Sequence, residues 1–273
     1  MPHFLQILCL VITSAADEAA VKKDLARFEG VWSFASVIVA GKKQPAVPAA
    51  TNRLIIWKDG HCLVQQGTRL TRSIIKIDPA QSPGHYDVTL LNGSNSGMTS
   101  RGIYELQADT IKLCFSLNGK ERANRFESET GSGLMLQVFK REKLTVEEAL
   151  LEAGRQELAG SWQAESYSLN GQAASEEDMK KVRLVIDKVG KATALNEGKV
   201  FLAGTIKIDL TQQPMTIDIS YSEGELKGKT LLGIYHLEGG KLTICRAAPG
   251  QPRPSVFSSK PESGHTLMSY RRE

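Results

Sequence analysis

The sequence predicts an all-β protein with short helices: two tandem up-and-down antiparallel β-barrels, each preceded by a helix. Three observations carry the prediction. One pattern occurs twice along the chain, apolar and polar residues alternate with a period of two, and turn signals interrupt the alternation at short intervals.

The repeat comes first. Gly30, Trp32, Gly41, Arg53, Leu54, Ile56 and Gly60 recur 130 positions on as Gly160, Trp162, Gly171, Arg183, Leu184, Ile186 and Gly190. After a one-residue slip the offset is 131. Ile75–Asp78 returns as Ile206–Asp209, Gly102-Ile103-Tyr104 as Gly233-Ile234-Tyr235, and Cys114 as Cys245. Phe126, Ser128, Ser132 and Glu142 return as Phe257, Ser259, Ser263 and Glu273. Self-similarity of this extent sets the domain count and predicts boundaries at 17–142 and 143–273. Each copy is long enough to bury one modest core, and the 41% apolar and 23% charged shares are those of a globular chain.

Residues 1–16 stand outside both copies. Phe4 to Ile12 is apolar but too short to span a bilayer, and Thr13-Ser14-Ala15-Ala16 places small residues before Asp17. The segment reads as a secretory signal peptide, although its first residues lack Lys and Arg. Cys9 within it follows Leu8, not the small residue of a lipoprotein signal. No later run is long enough for a membrane span, so the expectation is an exported protein, periplasmic or secreted.

A helix is expected over 17–29, with Val21, Leu25 and Phe28 as its apolar positions. It leads into Gly30-x-Trp32. The second copy opens the same way: Thr145-x-x-Glu148 is a capping box, and the helix it starts runs over 146–159 and also links the copies. In copy two, Met215 to Ile219 alternates apolar and polar, as Ile206 to Asp209 does. Asn170-Gly171, Asn196-Glu197-Gly198, Glu223-Gly224, Glu238-Gly239-Gly240 and Pro249-Gly250 mark the turns, as Asn92-Gly93 and Asn118-Gly119 do in copy one. About eight strands per copy follow. Closure into a barrel removes the two open edges a meander would expose. A short helix capped by Ser175, with Asp178 three residues on, interrupts copy two where copy one has Pro45-Ala46-Val47-Pro48. Any difference in binding between the copies is expected at this loop.

Net charge divides unevenly: 17–142 carries 17 basic against 13 acidic residues, and 143–273 carries 17 against 17. The basic residues are scattered and aromatics are only 6%, which argues against nucleic-acid binding. Cys114 and Cys245 are repeat equivalents. Cys62 has Ala192 as its counterpart, so buried thiols are favoured over a Cys62–Cys114 bridge. No spacing suggests zinc, another metal or a cofactor.

The helix, the Gly-x-Trp start, the meander and a basic residue on the last strand together resemble lipocalin-like barrels. More specifically, the chain resembles an uncharacterised lipocalin-like domain family expanded in planctomycete bacteria. Copy two shows its Leu-x-Gly-x-Trp start at Leu158–Trp162 and its Leu-Gly-Ile-Tyr strand at Leu232–Tyr235. It also shows the Leu242–Cys245 strand, the Pro249–Pro254 loop and the Ser263-Gly264 to Leu267 finish. Copy one keeps Gly30, Trp32, Gly102–Tyr104, Leu113-Cys114 and Arg122 but departs at Phe28, Arg101 and Asn118. The resemblance implies the fold and an envelope location, and no reaction or ligand.

Among candidate site residues, Trp32 and Trp162 are expected to be structural. Each would close one end of a barrel beneath a basic side chain of the last strand, Lys140 or Arg141 and Arg271 or Arg272. Arg122 and Arg253 either bind an anionic group at the barrel mouth or tie their loop to backbone carbonyls. Tyr104 and Tyr235 read as core or rim residues. His61, His85, His236 and His265 do not correspond between copies, and no nucleophile elbow or phosphate loop occurs, so no catalytic set is expected. Glu105 of copy one is His236 in copy two. Two non-catalytic readings remain: filled, rigid modules that bind an envelope protein or polymer, and hollow barrels that carry a small apolar or amphipathic molecule. Phe201, Ile206, Ile208, Met215, Ile217, Ile219, Leu231 and Ile234, taken as inward-facing, tip the expectation slightly toward filled barrels.

Overall fold

A computed structural model describes residues 15–117 and 121–273. Most of the expected signal peptide, with Cys9, and the Asn118-Gly119 turn lie outside the described residues. The chain forms two closed eight-stranded antiparallel barrels, each an up-and-down meander.

In the first barrel the strands are β1 (Gly30–Val39), β2 (Asn52–Ile56), β3 (His61–Gln66), β4 (Arg69–Asp78), β5 (Gly84–Leu90), β6 (Thr99–Leu106), β7 (Thr110–Ser116) and β8 (Leu134–Arg141). In the second they are β9 (Gly160–Leu169), β10 (Val182–Ile186), β11 (Lys191–Asn196), β12 (Lys199–Asp209), β13 (Met215–Glu223), β14 (Thr230–Glu238), β15 (Lys241–Ala247) and β16 (His265–Arg272). Neighbours in sequence are neighbours in space, and β1–β8 and β9–β16 pairing closes each barrel. A two-residue strand, Lys42–Lys43 or Gln172–Ala173, adds to the outer edge of β1 or β9.

The duplicated sequence forms duplicated registers. Trp32 pairs with Arg141 and Trp162 with Arg272, and each closing pair carries a bulge at the same place, Phe34/Ser36 and Ala164/Ser166. Gly60 and Gly190 take φ of +76° and +88°, and a Cβ on either would approach a strand carbonyl, Ile75 O at 2.6 Å or Ile206 O at 3.3 Å. Glycine is required there for conformation and for space.

Helix α1 (Ala15–Phe28) precedes the first barrel and α2 (Val146–Leu158) the second. The predicted capping box is present. Thr145 Oγ1 accepts from Glu148 N–H at 3.2 Å, and Thr145 N–H donates to Glu148 Oε2 at 3.0 Å. Ala149, Leu150, Ala153, Gly154 and Leu158 are buried, and a Cβ on Gly154 would fall 2.2 Å from Ile208 Cδ1, so the helix lies directly on β12. Helix α3 (Glu176–Met179) is capped by Ser175, whose hydroxyl accepts from Asp178 N–H at 3.1 Å.

The three described cysteines are free and buried. Cys114 belongs to a cluster with Ile103 and Ala123, against which Phe126, Leu134 and Leu136 pack. Its Sγ donates to Glu127 O at 3.4 Å, and Cys245 does the same to Ser258 O at 3.4 Å. The segment between the last two strands is thus pinned over the outside of the wall. Strand alternation sets Ile234, paired with Cys245, on this outer side, opposite to Leu231. That corrects the expectation that Ile234 faces inward.

Candidate ligand cavity in the second barrel

The Trp end of each barrel is closed by one set of contacts, built twice. Both indoles are fully buried. Each Nε1–H donates to the carbonyl four residues earlier, Phe28 or Leu158, at 2.9 Å. The guanidinium carbon of Arg141 lies 3.9 Å from the Trp32 ring centroid, and that of Arg272 lies 4.1 Å from Trp162. Each arginine also donates to terminal carbonyls of the preceding helix or the residue after it: Arg27 and Glu29 in one copy, Glu157 and Ala159 in the other. Such carbonyls have no partner inside a helix, and the negative end of the helix dipole favours a cation there. Gly30 and Gly160, both at φ +143°, complete the arrangement, because a Cβ would come within 2.5 or 2.9 Å of the arginine Nη1. The Gly-x-Trp signature is therefore a steric requirement of the arginine lid. Of the two basic residues considered at each site, Arg141 and Arg272 cover the indole, while Arg271 bonds Glu165 at 2.5 Å.

Arg122 and Arg253 occupy equivalent places, each on a carboxylate and a carbonyl. Arg122 holds both oxygens of Asp87, at 2.5 and 3.1 Å, and the carbonyl of Gly102 at 2.6 Å. Arg253 lies 2.6 Å from Asp218 Oδ1 and donates to Gly233 O at 2.6 Å. These bonds tie the loop to β5–β6 and β13–β14. Tyr104 Oη donates to Asp24 at 2.9 Å, and Tyr235 is buried. His61 stacks on Trp57, His236 bonds exposed Glu238 and His265 bonds Ser258 O. Among the described residues no group of three His, Cys, Asp or Glu is placed to hold a metal ion.

The second barrel is hollow beyond its Trp end. A cavity of about 880 Å³ runs between its walls and opens to solvent at the far end, where half-exposed Leu169 and Phe201 form part of the rim. This corrects the expectation of a filled barrel, and the reason lies in side-chain size. Ala164, Ser166, Ala192 and Ala194 line the wall, whereas the large Ile206, Ile208 and Ile217 are buried outside the lining. Ile219 and Leu231 do face the cavity. Phe201 does not plug it. Ala194 pairs with Leu202 and Leu195 with Val200, so Phe201 is the extra residue of a β-bulge and lies 44% exposed at the rim. Asp178 and Met179 of α3 also line the opening, so the loop that differs between the copies borders it.

Four polar side chains gather on the cavity wall: Arg246, Tyr167, Tyr221 and Tyr270. Arg246 is only 8% exposed, and its Nη1–H donates to Tyr221 Oη. Its Nε–H is buried without a hydrogen-bond partner, and no carboxylate among the described residues lies within ion-pair distance. Burial pushes the Tyr270 phenol up to about 12 and raises that of Tyr221, so both stay neutral at physiological pH. At the equivalent positions the first barrel carries Phe115, Val37, Leu90 and Phe139. Looking for residues kept in both copies missed this cluster. The signal that finds it is the opposite one, inward positions at which the copies differ.

No family model matches the chain, and no curated protein matches it. A solved structure of a protein of unknown function from the DUF3598 family of Nostoc punctiforme PCC 73102 aligns over 93% of this chain and 99% of its own, at 10% identity and a TM-score of 0.22. No helix among the described residues is long and apolar enough to cross a membrane.

Proposed function

We propose that this is an exported, non-catalytic binding protein whose second barrel holds a small apolar or amphipathic molecule. The cavity carries the reading. Its volume of about 880 Å³ falls within the roughly 300–1,000 Å³ usual for small-molecule sites, and most of its wall is apolar. Export is supported by the signal-like residues 1–16, and an envelope location by the resemblance to planctomycete lipocalin-like domains. The two functional units are taken as 17–142 and 143–273. Arg122 and Arg253 serve as loop ties in this reading, because each guanidinium already holds a carboxylate.

Native mass spectrometry of the mature chain purified from a bacterial periplasm tests it, with solvent extraction and Nile red as a neutral probe. The expected result is a discrete extra mass lost on extraction, or a fluorescence gain when Nile red enters the emptied barrel. A clean unliganded mass with no Nile red response would overturn the carrier reading and point to an envelope protein or polymer bound through the loops.

A further inference from the structure

We infer that the molecule held in the second barrel carries a single negative charge, a carboxylate on an apolar body, and that Arg246 binds it. This rests on the carrier reading above and specifies its ligand class. Arg246 lies one residue from the end of β15, beside Ala247, Ala248 and Pro249 of the cavity lining and opposite Thr266 of β16. A guanidinium in such a place is costly unless a negative charge or a full set of acceptors compensates it. The protein supplies one phenol oxygen, from Tyr221, and the face of the same ring 5.6 Å from the guanidinium carbon, but no negative charge, and it leaves Nε–H without an acceptor. The first barrel avoids the cost with Phe115 at this position. A buried cation kept beside an apolar cavity with no acid to pair it is a site for an anion that enters from outside.

The charge of that anion follows from the rest of the lining. Lys181 is the other cation on the cavity wall, and it is already 3.6 Å from Glu197. Asp178 and Glu225 add negative charge to the lining. One guanidinium without an acidic partner matches one carboxylate, with the Tyr221 O–H as a further donor, while the Tyr270 hydroxyl is already directed to Met268 Sδ at 3.3 Å. A dianionic head would leave a charge unmatched and face the acidic side chains. The apolar body would lie along Ala164, Leu184, Ala192, Ile219 and Ile244.

Competition against Nile red on the full mature chain, with dodecanoate and dodecanol as paired probes, tests the inference. The native protein is expected to bind dodecanoate at least tenfold more tightly than dodecanol. Arg246→Leu should keep Nile red and dodecanol binding and bring the two chains within about twofold of each other. Equal binding of both chains by the native protein, with Nile red bound, would overturn the anion inference and leave the carrier reading standing. A native protein that binds none of the three would overturn the carrier reading itself. A dodecanoate preference that survives Arg246→Leu would overturn the assignment to Arg246. Should that variant fail to fold, phenylglyoxal labelling of the native chain decides: dodecanoate, and not dodecanol, is expected to shield Arg246, and equal labelling with both would overturn the assignment.

Discussion

In the first barrel Phe34 of β1 packs against Phe139 of β8, with ring centroids 4.6 Å apart and the planes tilted by 47°; at the same register of the second, Ala164 faces Tyr270. The exchange of Phe for Ala removes a ring from the interior, and the exchange of Phe for Tyr adds a hydroxyl to the wall. Phe115 to Arg246, Leu90 to Tyr221 and Val37 to Tyr167 likewise add polar atoms to the wall, the last two with a larger side chain. The Trp ends do not differ in this way. Trp, Gly and Arg lid recur with matching bonds and distances within a few tenths of an ångström. Two copies of one barrel thus share the end that holds the fold and differ in the walls that decide what fits inside. The contacts that close the barrel and the side chains that line the cavity are carried by separate layers of the same strands.

The largest expected effect tests the shared end. Trp32→Ala and Trp162→Ala each delete a fully buried indole, and each is expected to cost about 3–5 kcal/mol in urea unfolding. The two losses should agree within about 1 kcal/mol if the closed ends are energetically equivalent. A loss below about 1 kcal/mol from either would break the equivalence.

Alkaline pH separates the barrels more finely. Burial pushes the Cys62 thiol of the first barrel from 9.0 up to about 12, and the second has Ala192 there. Burial pushes the Tyr270 phenol of the second from 10.0 up to about 12, where the first has Phe139. A group whose folded pKa is raised lends its full stability below its unfolded pKa and loses it as pH climbs toward the folded value. From about pH 9, therefore, Cys62 withdraws about 1.4 kcal/mol per pH unit from the first barrel, and Tyr270 begins to act on the second only about one unit higher. Cys114 and Cys245 are both raised by burial and cancel between equivalent sites. Urea midpoints at pH 8 and pH 10 are expected to fall further for the native chain than for Cys62→Ala. Equal falls would contradict the burial of that thiol.

The smallest effect sharpens the comparison of the walls. Ala164→Phe with Tyr270→Phe installs the aromatic pair of the first barrel in the second. Filling space of this kind is expected to add about 1 kcal/mol to stability and to cut Nile red binding at least tenfold. Unchanged Nile red binding would show that the probe sits outside the barrel.

Much of this architecture was legible in the residues. The 130–131 offset, the alternation of β13, the Thr145–Glu148 capping box and the Ser175 cap are local patterns, and each appears where the sequence puts it. The basic residue above each Trp is narrowed by the sequence to two neighbours, Lys140 or Arg141 and Arg271 or Arg272. Choosing Arg141 and Arg272 needed the register, since adjacent strand residues point to opposite faces. Ile234 and Phe201 were misread for the same kind of reason. Ile234 is apolar because a loop packs outside the wall, and Phe201 is displaced by a bulge that no local pattern announces.

The sequence by itself determined the class of fold, the number of barrels and the Gly-x-Trp of their closed ends. These follow from period, repeat and capping chemistry, which act between residues close in sequence or are printed twice. Whether the second barrel is filled was decided only in three dimensions. A cavity is the difference between the volume that eight strands enclose and the volume that their inward side chains occupy, and that sum runs over residues more than a hundred positions apart, from Ala164 to Tyr270. The isolation of Arg246 is equally a tertiary fact. Its charge is written in the chain, but the absence of an acid beside it among the described residues depends on where the other strands place theirs.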